Sequence, residues 1–263
     1  MSEILNFVSS AFYAFLGGLI PSLIWLFFWH RENQKNPQSK STILLAFFGG
    51  IIAVSISLVL EKFAFSNGHG LLSSLNIFKP LLEWLKTVSI ENAIEYNKLI
   101  LVVVFAPFIE EISKFLMALL FVLGPKREKW PIDPIILMIT TALGFSALEN
   151  SLFLMEPFIK GKMVEGIITG NLRFIGATLL HTVSSATIGF FIGFNFFDRF
   201  SHKVLWTILG VLCAIIVHAI FNFLMIGSDQ SSFIALELIW VAVIIVLLAF
   251  EKIKRIKIEK INP

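Results

Sequence analysis

The chain has 263 residues, of which 57% are hydrophobic and only 15% charged, with a mean hydropathy of +0.85 and a net charge of +3. Soluble domains carry about 25% charged residues and interrupt their apolar runs, so this composition excludes an ordinary soluble globular domain and describes a polytopic membrane protein. The small net charge gives no reason to expect a nucleic-acid partner, and the lone Cys213, inside an apolar run, excludes an internal disulfide.

Apolar runs of about 20 residues, enough to cross roughly 30 Å of hydrocarbon, occur at 7–29, 42–63, 99–123, 134–158, 173–197, 204–226 and 232–250. They predict an all-α bundle of about seven spans in a single membrane domain over residues 1–263. The first run lacks a basic leader and is too long for a signal peptide, so it reads as a spanning helix. Between the second and third runs, residues 64–98 place leucines and Phe78 at helical spacing among Lys79, Glu83 and Lys86. That stretch is expected to lie in the interface.

Basic residues recur in alternate loops: Arg31, Lys35 and Lys40, then Lys126, Arg127 and Lys129, then Arg199 and Lys203, then the tail 251–263. Lys and Arg are retained on the cytoplasmic face, which predicts an outside amino terminus and a cytoplasmic carboxy terminus in the cell membrane.

The third run holds Glu110, Glu111 and Lys114. A charge at mid-bilayer costs at least about 2.5–3.5 kcal/mol on insertion scales, so these groups need polar company. Glu110 and Lys114 are four apart and share a helical face, where they can pair, and Pro107 favours a kink just before them. The company comes from the fourth run with Glu149 and Asn150, the fifth with His181, and the sixth with His218 and Asn222 one turn apart. Counted from the predicted outer ends, Glu110, Glu149, His181 and His218 all fall roughly 12–17 Å deep at 1.5 Å rise per residue. Lys114 is read as a counter-ion to a glutamate lying inward of that depth. Arg173 reads as a headgroup-snorkelling residue and Asn150 as a tie between helices. A single intramembrane His or Asn is ordinarily interhelical glue, worth about 0.6 kcal/mol; the conjunction of three glutamates, two histidines and an asparagine exceeds what packing needs.

Three chemistries suit this set. A buried glutamate can act as base toward a water, with His218 and Asn222 as donors to an oxyanion. Alternatively His181, His218 and Glu149 are ligands to zinc with an open position for water, though no HExxH pattern is present. Outside enzymes, Glu and His chains serve as relays in membrane transporters, or the chain is a silent membrane scaffold; inverted repeats, the mark of many transporters, are absent from the sequence.

At these residues the sequence resembles the PrsW family of bacterial intramembrane proteases: Glu110-Glu-Ile-Ser-Lys114 is similar to its EExxK motif, Phe145-Ser-Ala-Leu-Glu-Asn150 to its FxxxEN motif, His181 to its isolated histidine, and His218-Ala-Ile-Phe-Asn222 to a closing HxxxN. The resemblance covers a core of about residues 99–226. It implies a protease that makes the first, extracytoplasmic cut in a membrane-anchored anti-sigma factor, a single-span substrate, without a required cofactor unless zinc is bound. By its relation to the CAAX prenyl proteases it also implies Glu110 as base, Glu111 as supporting carboxylate, and His218 with Asn222 as oxyanion donors, with Lys114 and Asn150 in support. Where those relatives carry FxxxH this chain has Glu149, so either His181 or Glu149 holds the water. No EExxxR arginine is present, which makes prenyl-protein processing the weaker substrate expectation.

Overall fold

In the computed structural model, which describes residues 2–33, 37–74, 99–124 and 127–256, every regular element is helical among the described residues. Helix α1 spans Ser2–Glu32 and α2 Lys40–Ser74. A π-helical turn, Leu101–Phe105, leads into α3, Ala106–Phe121. Then come α4 (Asp133–Ile159), α5 (Met163–Ile175), α6 (Ala177–Phe194), α7 (Phe200–Ile226) and α8 (Asp229–Lys254).

Six stretches are long and apolar enough to cross a membrane, with α5 and α6 forming one of them, Met163–Phe194. With the shorter, charged helix α3 packed among them, this is consistent with about seven spans. The element boundaries differ in two places. The predicted fifth span starts at 173, whereas Arg173 lies in the last turn of α5 and the chain breaks at Gly176 before α6 begins. The predicted interfacial stretch starts at 64, whereas α2 runs on to Ser74; the remainder of that stretch, 75–98, lies outside the described residues, as do 257–263 of the basic tail.

Helix α4 is the axis of the bundle. Its residues from Asp133 through Ala147 are buried without interruption, so its sequence shows no one-sided apolar stripe. Hydroxyls on it are satisfied within the helix, Thr140 donating to the Ile136 carbonyl (2.7 Å) and Thr141 to that of Leu137 (3.0 Å), which is how polar side chains are carried through a medium without water. Small residues let neighbours close on it. A Cβ on Gly50 of α2 would meet the Thr141 carbonyl, and one on Gly144 would meet that of Phe47, so α2 and α4 cross with backbones touching.

One side of the bundle is apolar: Trp29 of α1, Ile135 and Ile139 of α4, Val183 of α6, and Val243 and Phe250 of α8 pack together. The other side, where α3, α6 and α7 meet the second half of α4, carries buried Glu110, Glu111, Lys114, His181 and His218.

The break that Pro107 predicts takes the form of the π turn. Its backbone closes a wider ring, Ala106 N–H donating to the Leu101 carbonyl, and such turns recur where a helix serves a functional site. The Val102 carbonyl it leaves accepts a hydrogen bond from Asn222 Nδ2 on α7, at 3.3 Å.

Candidate active site

Glu110, Glu111 and Lys114 occupy adjacent positions on α3, and all three are buried. The pairing differs from the sequence expectation: Lys114 binds Glu111, three residues back, at 2.5 Å, and not Glu110. Nor is Lys114 apart from the cluster, since its Nζ also lies 3.1 Å from His181 Nδ1. Both members of the pair have side chains with no exposure. Such a pair needs further hydrogen bonds to offset its burial, and here Glu111 Oε1 also accepts from Ser184 Oγ (2.9 Å) and from His218 Nδ1 (2.8 Å), while Glu111 Oε2 has no partner.

Glu149 on α4 faces α6, where its Oε2 meets His181 Nε2 at 2.9 Å. Phe145, one turn earlier on the same face, lies against the His181 ring with centroids 5.1 Å apart and has the Lys114 ammonium 4.8 Å over its face. That accounts physically for an aromatic four residues before the glutamate. Asn150 points elsewhere, donating to Thr178 Oγ1 (2.9 Å) and Ser146 Oγ (3.1 Å) and so tying α4 to α6. The two imidazoles stand edge to face, 5.2 Å between centroids.

These contacts fix the imidazole tautomers. Lys114 can only donate, so His181 Nδ1 presents its lone pair and Nε2 carries the proton that goes to Glu149. His218 Nδ1–H donates to Glu111, leaving the lone pair on Nε2. One oxygen lies near both of these nitrogens: Glu110 Oε2 is 3.9 Å from His181 Nδ1 and 3.8 Å from His218 Nε2, too far to bond either. This oxygen is buried and has no hydrogen-bond partner. Three acceptors thus converge, and of them only His181 Nδ1 has a donor, Lys114 Nζ; the bare Glu110 Oε2 calls for a water, a proton or a cation.

The donor set fits a metal as well as a water. Glu110, His181 and His218 each offer a ligand atom within 4.8 Å of the others, and each histidine has a carboxylate on its other nitrogen, the usual support for a ligating imidazole. The trio contains Glu110 where the sequence reading had Glu149, because Glu149 is engaged by His181 Nε2 and by Arg173. The Lys114 ammonium beside His181 Nδ1 competes with any cation there.

Above the trio lies a cavity of about 430 Å³ walled by Glu61, Phe145, Glu149, Arg173, Phe221 and Asn222, among others. Sequence reading missed three of the groups found here. Glu61 sits near the end of the apolar run 42–63, where hydropathy gives no sign that it faces a cavity. Ser184 lies three residues after His181, the spacing that puts both on one face. Arg173 does not snorkel: its Nη2 binds Glu149 at 2.5 Å.

A family model described as PrsW family intramembrane metalloprotease matches residues 38–250. Among similar proteins, Protease PrsW of Clostridioides difficile (strain 630) is 25% identical over 250 residues, covering 94% of this chain and 90% of that protein. Protease PrsW of Shouchella clausii (strain KSM-K16) is 27% identical over 148 residues, 56% of this chain and 64% of that protein's length. Protease PrsW of Halalkalibacterium halodurans is 22% identical over 230 residues, 86% of this chain and 91% of that protein. No solved structure matches.

Proposed function

The chain belongs to the PrsW family of intramembrane metalloproteases, and from that premise we propose that it hydrolyses a peptide bond in a single-span membrane protein, such as an anti-sigma factor, on the extracytoplasmic side, with Glu110 as the base. The observation that carries this reading is the unpartnered Glu110 Oε2 between two imidazole nitrogens. A water there has its two hydrogens for Glu110 Oε2 and His218 Nε2 and an oxygen lone pair free for a carbonyl carbon. Glu110 takes one proton as the water attacks and returns it to the leaving amine. Glu111 and Glu149 hold the histidines in the tautomers that keep the water in place.

Asn222 is the donor best suited to the developing oxyanion. Its amide carries two N–H groups and the Val102 carbonyl takes one, and one such donor is worth about 2.7–4 kcal/mol of transition-state stabilisation. Neutral His218 turns an acceptor to the cavity, so it serves the oxyanion only after gaining a second proton.

A second reading is favoured by the same convergence of acceptors: Glu110 Oε2, His181 Nδ1 and His218 Nε2 would hold a divalent cation such as zinc. When bound it supplies Lewis-acid polarisation of the carbonyl and a more acidic water. Co-expression with a tagged single-span substrate tests both readings. The native chain should yield a fragment that Glu110→Gln does not. Chelation followed by zinc restores cleavage if the second reading holds and leaves it unchanged if the first does. A transporter or scaffold would yield no fragment in any arm.

A further inference from the structure

Two chains of contact of the same kind end at Glu110. In one, Lys114 binds Glu111, which binds His218 Nδ1. In the other, Arg173 binds Glu149, which binds His181 Nε2. The first lies within the motif residues; the second depends on a residue from α5, a helix that supplies none of them.

Arg173 is held on three sides. Nη2 donates to Glu149 Oε2 (2.5 Å), Nε donates to Asn150 Oδ1 (2.5 Å), and the guanidinium lies 3.8 Å from the centroid of the Phe153 ring. All three partners fall within about one turn of α4, Glu149 to Phe153, so the last turn of α5 is clasped to α4 directly beside the cavity. The side chain is only 16% exposed, unlike a snorkelling arginine. The break at Gly176 ends α5 just after this contact and starts α6, which carries His181.

We propose that Arg173 is a positioning residue of the active site, holding Glu149 as a pure acceptor so that His181 carries its proton on Nε2 and keeps a bare Nδ1, which accepts from Lys114 and lies 3.9 Å from Glu110 Oε2. The guanidinium is permanently protonated and donates only. With its donor on Glu149 Oε2, that oxygen can satisfy His181 solely by accepting, which forces the tautomer that Lys114 also requires from the other side of the ring. Removing Arg173 frees the Glu149 rotamer and weakens the tautomer preference without touching substrate or Glu110.

The inference rests on the hydrolytic reading, and its test has a readout independent of cleavage. In protein labelled with ¹⁵N-histidine and reconstituted in lipid, with the His181 resonances assigned by their loss in His181→Gln, the wild type should show a protonated Nε2 and a bare Nδ1. Arg173→Gln, which leaves Lys114 alone to hold the tautomer, should raise the share of the Nδ1-protonated form and lower kcat by about 10–100-fold, the usual effect of losing such a supporting partner, with KM little changed. Arg173→Lys, which keeps the charge and one donor, should recover part of both and serves as the probe if the Gln variant fails to assemble. Arg173→Gln combined with Glu149→Gln should be no slower than Glu149→Gln alone. An unchanged His181 tautomer, or an unchanged kcat, in both Arg173 variants overturns the proposal. A wild type that cuts nothing defeats the hydrolytic reading instead and leaves the tautomer measurement to judge Arg173.

Discussion

The two sides of α4 are built on different physics. Toward α1 and α8 it packs Ile135, Ile139 and Leu143 among Trp29, Val243 and Phe250, a surface of interchangeable apolar contacts. Toward α3, α6 and α7 it faces Glu110, Glu111, Lys114, His181 and His218, where Lys114 and the histidines are held by named atoms and Glu110 Oε2 is left without a partner. Lipid is as apolar as leucine, so the first side contributes shape more than driving force. On the second side every partner is required, because an uncompensated charge has no water to turn to. Substitutions should therefore be graded on the apolar side and nearly all-or-none on the charged side.

The largest effect expected is on cleavage by variants of the two histidines. His181→Ala or His218→Ala should lower the rate about 10²–10⁴-fold, and the double variant should be little worse than the poorer single, because groups acting on one water fail together. Multiplied losses would show that they act separately. Next, Lys114→Met should destabilise the fold by about 3–5 kcal/mol by stranding Glu111, read as a lower unfolding midpoint in detergent; adding Glu111→Gln should restore part of it. Across α4, Ile139→Val should cost only about 0.5–1.5 kcal/mol and leave cleavage unchanged. An equal cost on both sides would erase the contrast.

The smallest effect lies outside the spans. Glu128, in the loop before α4, has its carboxyl pushed up to about 7 by burial and by the Asp133 charge nearby. A raised carboxyl pKa in the folded state means the loop is most stable when Glu128 is protonated. Stability should fall as pH rises from about 4.5 to about 7 and level off above that. Thermal unfolding of Glu128→Gln across that window should show a flatter profile than the native chain; an identical slope would assign the dependence elsewhere.

The helical bundle was legible because an apolar run of sufficient length has few other fates, and the site because a charge in such a run must be answered. Glu110, Glu149, His181 and His218 could thus be grouped by depth alone. What depth does not carry is direction. Helical spacing allowed Lys114 to pair with Glu110, and only the packing of Ser184 and His218 against Glu111 shows why it takes the other glutamate. Arg173 was misread for a related reason: as a cation near the predicted start of a span it looked like a membrane-surface anchor, and the break at Gly176 that returns it to α4 leaves no mark in hydropathy. Glu61 was hidden by its place at the edge of an apolar run, although it faces the same cavity.

The central claim is that Glu110 is the base for a single hydrolytic centre. The direct measurement is single-turnover cleavage of a reconstituted single-span substrate by the native chain and by Glu110→Gln, compared at matched unfolding midpoints. Product is expected from the native chain, with a rate about 10²–10⁴-fold lower from the variant. Cleavage by Glu110→Gln at the native rate would contradict it.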